Sequence, residues 1–519
     1  MAYVERIPLV GAGRESARDC PVTGLRVWSG AQALTLANAV AAVLALALGG
    51  LFAMGVAFTR APSVELLGSD TFYATLTAHG VAALILWPIF FEVAAIVFAS
   101  SILLNARVYS MALGWLSFAL MVLGSLMLLV VILTGNASVM FTAYVPLIAD
   151  QAFYLGYLVF AVGALLAIVN FVLSIVKARA EGTFSGSLPV VTYGVACAAI
   201  LALFSILSGL VALVPAWLYA NGWIESVEPI VYRTWFWGLG HTLQYVNVVA
   251  MVVCWYGIIA LGFGAGPVNQ KFTRIAFILY VIIALPVLGH HFLVDPSLGT
   301  GVKWFGGTGM GIALGIPSLM HGLAIMGGTE AKLRHLFSIK GLFGWLGHIR
   351  WSQPAVASLT GSLLIFAVGG WSGTVQTTLQ LNLVTHNTMS IPAHLHQTVV
   401  GGMTIAFMGF AYYLVPLLVR RALWMPKLAS FGAWAYVVGM LAATTFQMWA
   451  GALGVPRRTW DAGYGGDAPG NWDLPMNLNA IAGGVAGLGG ALFIVIMVMT
   501  LLAGKRTEEP GELVPSAVK

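Results

Sequence analysis

The sequence predicts an all-α polytopic membrane protein of about twelve transmembrane helices, and two observations predict it. Of 519 residues 60% are hydrophobic and 8% charged, whereas a soluble globular chain carries roughly a quarter charged residues. The apolar stretches also run for twenty to thirty residues without a charge. A membrane β-barrel shows weakly alternating segments of about ten residues instead. The net charge of +6 comes from Lys and Arg in loops, with no basic stripe interleaved with aromatics, so no nucleic-acid partner is expected. Cys20, Cys197 and Cys254 lie far apart, which leaves no thiolate metal site and no disulfide framework.

In chain order, spans are expected over residues 31–59, 72–102, 109–134, 152–176, 189–219, 230–263, 273–294, 305–328, 355–375, 388–418, 429–454 and 477–503. Each is long enough to cross about 30 Å of hydrocarbon at about 1.5 Å per residue. They form one transmembrane domain, 31–504, between an N-terminal segment, 1–30, and a tail, 505–519. Residues 1–30 show no charged, apolar and cleavage-site succession, so no cleaved signal is expected. Nineteen of the twenty-four Lys and Arg, from Arg6, Arg14, Arg18 and Arg26 through Lys505, Arg506 and Lys519, fall on one side of the alternating loops. Only Arg60, Arg233, Lys303, Arg457 and Arg458 fall on the other, which places both termini in the cytoplasm. No internal repeat is evident, which weighs against an inverted-repeat transporter.

The histidines carry the functional argument. Seven of ten lie within the spans, namely His79, His241, His290, His291, His321, His394 and His396, and ionisable groups at membrane depth are expensive enough to imply a role. Counting from the span ends at about 1.5 Å per residue, all except His321 meet in one outer layer. His394 and His396 are two apart, about 200° on a helix, so they serve different partners on opposite faces. Adjacent His290 and His291 follow Pro286 and Gly289, where a loosened turn can aim both at one ion. Imidazole suits copper, iron or zinc, and His241, His290 and His291 make a sensible copper site. A bis-His iron would use His79 with His396, and a five-coordinate iron His394 alone. Tyr245 lies four residues after His241, on the same face.

Other residues have bland readings beside sharp ones. Glu92, the one acid well inside an apolar run, reads as an interhelical polar contact or a proton relay. His321 and Ser318, deeper in the membrane, read as a polar packing pair or a proton path. Arg457 and Arg458 read as surface anchors or as partners for haem carboxylates. His335 and His348 are expected to be solvated.

Five motifs bring a resemblance: TAHG at Thr77–Gly80, WFWGLGHTLQY at Trp235–Tyr245, GHHFLVDP at Gly289–Pro296, HNTMSIPAHLH at His386–His396 and VPRR at Val455–Arg458. In order and spacing, over nearly the whole chain, they resemble the catalytic subunit (subunit I) of the haem-copper oxidase superfamily. RIAFIL, IPSLM, GLFGW and VPRR make it most similar to the B family, the ba-type oxygen reductases. The resemblance implies two haems and one copper ion. His79 and His396 would ligate a low-spin haem, His394 a high-spin haem, and His241, His290 and His291 the copper. Tyr245 would be cross-linked to His241 and supply an electron and a proton. Arg457 and Arg458, with His386 and Asn382, would lie at the haem propionates. A proton path would use Tyr245, Tyr256 and Ser318.

The departures are specific. Tyrosine and threonine of that path fall at Val252 and His321, so His321 becomes a candidate relay. Thr242 stands where proline is usual, Gln244 where an apolar residue is, and Asn382 where aspartate is expected. The resemblance implies a terminal respiratory oxidase that reduces dioxygen to water and moves protons. A B-family-derived nitric oxide reductase, forming nitrous oxide, is the alternative, for which Gln244 beside the copper would be the sort of change required. A histidine-lined transporter is the third reading. With no copper-binding cysteine pair in the chain, electrons are expected from a subunit II bearing copper or haem, fed by cytochrome c or a small copper protein, in a bacterial or archaeal cytoplasmic membrane.

Overall fold

The computed structural model describes residues 16–461 and 463–519; Arg6 and Arg14, and with them half of segment 1–30, lie outside the described residues. A short antiparallel hairpin, β1 (Ala17–Asp19) and β2 (Arg26–Trp28), leads into the first helix. Twelve helices among the described residues are long and apolar enough to span a membrane. They are α1 (Ser29–Thr59), α2 (Ser69–Leu104), α3 (Met111–Leu133), α4 (Gln151–Ala180), α5 (Val190–Ala220) and α6 (Pro229–Phe263). There follow α7 (Gln270–Phe292), α8 (Thr300–Phe337), α9 (Pro354–Thr377), α10 (Ser390–Val419), α11 (Pro426–Ala452) and α12 (Gly470–Ala503). The protein is an integral membrane protein built as a helical bundle.

Consecutive helices pack as hairpins, most extensively α3 with α4, α5 with α6 and α11 with α12. Small residues let these backbones approach, as expected where lipid supplies no hydrophobic drive between helices. At Gly124 of α3 an added Cβ would come within 2.6 Å of the Gly156 carbonyl of α4.

Four spans are interrupted near the intramembrane histidines, α8 by a π-helical stretch at Lys303–Gly309. The regular part of α7 ends at Ala284, and Pro286–Phe292 continues as a tight 3-10 turn, because Pro286 has no N–H to extend the ladder. In α10 a π-helical stretch begins at His396 and runs to Thr404, and α2 contains another at Ala82–Leu86, just past His79. Such widened turns re-aim side chains and recur at functional sites.

Span boundaries read from hydropathy agree to within a few residues except at the start of α12, which begins at Gly470 rather than 477, and in α8. There the apolar run stops near Gly328, yet the helix continues to Phe337, held outside the apolar layer by an Arg334–Glu330 ion pair one turn apart. His335 is exposed, whereas His348 stacks on Phe337 at 4.2 Å between ring centroids. His348 is half-exposed, with one face covered where the extended α8 offers it an aromatic ring. The tail is not loose either. Ala517 bonds through its N–H to the Gly262 carbonyl at the end of α6 (2.9 Å), and its own carbonyl accepts from the N–H of Arg350 (2.8 Å). Leu513 and Ala517 are fully buried by this strap.

Candidate metal centres

The loosened turn of α7 lets His290 and His291 face His241 across from α6. The three imidazoles offer ligand nitrogens that all lie within 4.8 Å of one another. Ring centroids are 4.4 Å apart for His241 and His290, 5.3 Å for His241 and His291, and 4.1 Å for His290 and His291. His241 Nδ1 faces His291 Nε2 at 3.3 Å, and His241 Nε2 is buried without a hydrogen-bond partner among the described residues. The Tyr245 ring stands 4.9 Å from the His241 ring. Trp237 lies flat on His291 at 3.6 Å and is itself held by a 2.5 Å bond from its Nε1 to the Tyr144 hydroxyl.

The second group sits on α2 and α10. The His79 and His396 rings are 6.1 Å apart with planes 10° from parallel. Each Nδ1 donates to a backbone carbonyl, His79 to Gly49 at 2.9 Å and His396 to Pro392 at 2.7 Å. That bond fixes the tautomer and leaves Nε2 as a lone-pair donor, the arrangement found behind metal-bound histidines. His394, on the other side of α10, is held through Nδ1 by the Gly369 carbonyl (3.0 Å) and Ser372 (3.1 Å). Gly373 makes room for it: a Cβ there would sit 2.8 Å from His394 Cε1.

A cavity of about 1120 Å³ joins His394 to the three-histidine cluster. Gln244, Tyr245, Ser318, Asn382, His386, Arg233, Arg457 and Arg458 also line it. At the end of the cavity formed by the start of α6 and the loops after α7 and α11, cations gather. Burial, then Arg458, pulls Arg457 down to about 9, and burial likewise lowers Arg458. No carboxylate among the described residues pairs with either. Arg458 is held at φ +68, a strained conformation for a side chain of its size, of the kind proteins retain at ligand sites. Burial and the guanidinium groups of Arg457, Arg233 and Arg458 hold His386 down to about 4, so it is neutral at physiological pH. Its Nδ1 bonds Asn382 Oδ1 at 3.0 Å, and Asn382 in turn donates to the Gln376 carbonyl at 2.6 Å. Half-buried guanidinium groups lining a cavity without acidic partners are costly unless an anion arrives, so this end of the cavity fits carboxylates of a bound group. Sequence reasoning passed over Arg233, whose 3.0 Å ion pair to Asp295 aims it at this cavity. Its placement beside WFWGLGH was the available signal.

Deeper in α8, Ser318 and His321 do not form the mutual polar pair that was one of their two expected readings. Both face α7 and α6 instead: the Tyr256 hydroxyl meets His321 Nδ1 at 2.9 Å, and Ser318 meets the Tyr280 hydroxyl at 2.8 Å. Glu92 is buried in α2 among apolar residues of α4, α5 and α6. Its Oε1 has no hydrogen-bond partner among the described residues, so the interhelical contact expected of it is not made by that oxygen; the neighbouring helices offer it almost only apolar groups.

Residues 33–486 match the family model described as cytochrome c and quinol oxidase polypeptide I. The chain is 31% identical over 449 residues to cytochrome c oxidase subunit 1 of Thermus thermophilus, covering 85% of this chain and 78% of that one. It is 22% identical to quinol oxidase subunit 1 of Bacillus spizizenii, over 78% of this chain and 62% of that one. Among solved structures, that of a heme-copper terminal oxidase dimer superposes with a TM-score of 0.86 at 24% identity, covering 94% of this chain and 87% of that one, which speaks to the fold.

Proposed function

The chain belongs to the family of cytochrome c and quinol oxidase polypeptide I, and on that premise we propose how its residues divide the work. It is a subunit I of a haem-copper oxidase, an oxidoreductase that reduces dioxygen and binds two haems and one copper. Subunits of this kind work with a subunit II and with cytochrome c or quinol as donor. In our reading His79 and His396 hold the low-spin haem, His394 the high-spin haem, and His241, His290 and His291 the copper. The mutual approach of the last three is the observation that carries this assignment. When bound, the haem iron and copper would supply the redox chemistry that delivers electrons to dioxygen, held by these histidines.

The protein groups do the rest. The carbonyls of Gly49, Gly369 and Pro392 orient three imidazoles. Trp237 clamps the His291 ring, and Gly373 admits His394. Arg457, Arg458 and Arg233, with His386 and Asn382, receive the haem propionates at the outer end of the cavity. Tyr245 stands ready to give a proton, and an electron, from its phenol; the unpartnered Nε2 of His241 beside its ring supports a covalent link between the two. Protons reach Tyr245 from the cytoplasmic side by way of Tyr256, His321 and Ser318, so that turnover moves charge across the membrane. The single domain 31–504 carries all of these residues. The B-family affinity, the cytoplasmic termini and a bacterial or archaeal cytoplasmic membrane complete the reading; the lopsided distribution of Lys and Arg supports the orientation. A copper- or haem-bearing subunit II fed by cytochrome c or a small copper protein is the donor arrangement we favour.

The test is turnover of the purified, pre-reduced complex on dioxygen and on nitric oxide with one electron donor. Fast oxygen uptake with slow nitric oxide loss is the expected result. The reverse would overturn the reading and turn attention to Gln244, which lines the cavity beside Tyr245.

A further inference from the structure

Tyr245 and Tyr256 are both on α6, eleven residues apart on one face, a separation of roughly 16 Å along the axis. No hydrogen bond spans that, so proton carriers must lie between them. The face itself supplies none: the intervening positions 248, 249 and 252 are all valine, and Val249 and Val252 are completely buried. The route must therefore leave α6.

The neighbouring helices place polar groups beside this gap. Tyr256 bonds Thr273 of α7 at 3.4 Å and His321 of α8 at 2.9 Å. The His321 ring lies 9° from parallel to the Tyr280 ring of α7 at 5.7 Å, and His321 Nε2 is buried without a hydrogen-bond partner among the described residues. Tyr280 stands 6.1 Å from the Tyr245 ring and shares a 2.8 Å bond with Ser318. Ser318 and Tyr245 both line the central cavity. Thr273, Tyr280 and His321 are fully buried, so a hydroxyl there has no bulk water to serve it.

We propose that the proton route crosses from Tyr256 to His321 and returns to Tyr245 through the Tyr280 hydroxyl, with Ser318 as the partner that delivers into the cavity. The wider gaps, His321 to Tyr280 and Ser318 to Tyr245, are each bridged by water. Each transfer breaks one O–H or N–H bond and forms another, so one proton taken up beside Thr273 appears as one proton delivered to the Tyr245 oxygen, and no electron passes. This inference rests on the oxidase reading above and adds Tyr280, which no motif in the sequence singles out.

The experiment uses the assembled complex carrying Tyr280→Phe, which keeps the ring and its packing. Haem content, the reduced-minus-oxidised spectrum and carbon monoxide binding are expected to match the wild type. Oxygen turnover at saturating donor is expected to fall at least 10-fold. Proton uptake in a single turnover, followed with an indicator dye, should slow by the same factor, and the solvent deuterium effect should rise while haem-to-haem electron transfer keeps its rate. Turnover and proton uptake within twofold of wild type would overturn the proposal. Ser318→Ala, read in the same way, decides the matter if the first variant does not assemble: a threefold or greater slowing supports the route, and wild-type rates overturn it. A wild-type complex that takes up no oxygen would instead strike at the oxidase reading itself.

Discussion

Helices α1 and α6 are both long and apolar, yet 17% of the most apolar stretch of α1 is buried inside the protein against 89% of that of α6. Leu44 and Leu51 of α1 face outward at 62% and 67% exposure, whereas His241 and Tyr256 of α6 are enclosed. Helix α10, with His394 and His396, shares the 89% burial of α6. Apolarity marks a span without saying whether lipid or protein surrounds it. The buried ionisable groups say that, because each is tolerable only where other helices, metals or water can satisfy it.

The contrast is sharpest at the three-histidine cluster, which we propose holds the copper. His241→Ala should abolish copper retention and lower oxygen turnover by more than 1000-fold, read by metal analysis and an oxygen electrode. A smaller step along the same inner layer is Gly373→Val, whose side chain would press on His394, only 2.8 Å from the position of an added Cβ. The carbon monoxide-reactive haem is expected to fall by half or more in its spectrum while the low-spin haem bands persist; an unchanged spectrum would break the argument that Gly373 makes room for that imidazole.

Weaker effects are expected at the cation-lined end of the cavity. The Ser297 hydroxyl, with its backbone N–H and Arg233, holds the Asp295 carboxylate below its ordinary range. A depressed carboxylate pKa contributes stability above the unfolded value and loses it as pH falls through the folded value, so between pH 6 and 8 the Asp295 carboxylate is fully charged. Asp295→Asn should therefore slow turnover by about two- to fivefold, through a loosened Arg233, and by the same factor across that range. A loss that varied with pH there would point to another group. Least of all, Leu51→Ala on α1 should leave turnover and spectra within experimental error and change stability by about 0.5 kcal/mol or less; a large loss would show that this face meets protein rather than lipid.

Much of this was legible in the residues themselves. The twelve spans follow from uncharged length, the opposite faces of His394 and His396 from their spacing, and the pair His290 and His291 from adjacency and Pro286, whereas the pairing of His79 with His396 comes from their matched depth and the family resemblance. What spacing could not reach depends on neighbours distant in sequence. Trp237 against His291, the Gly369 carbonyl behind His394, and Arg233 aimed at the cavity by Asp295 arise only once helices are packed. Tyr280 carried no signal at all, since a tyrosine on one stripe of α7 reads as packing until Ser318 and His321 of α8 are set against it. The π-helical turn beginning at His396 likewise left no mark in the hydropathy pattern. The buried tail strap was invisible for the opposite reason: its polar composition resembles any loose terminus until Gly262 and Arg350 take up the backbone of Ala517.

We propose that His394 and His396, two residues apart on α10, serve two different haems. The most direct test compares His394→Ala with His396→Ala in the purified complex, by haem content, reduced-minus-oxidised spectra and carbon monoxide binding. The first should lose the carbon monoxide-reactive haem and keep the low-spin bands, and the second should do the reverse. If both variants lost the same haem, or neither lost any, the assignment of α10 as the element dividing the two centres would be contradicted.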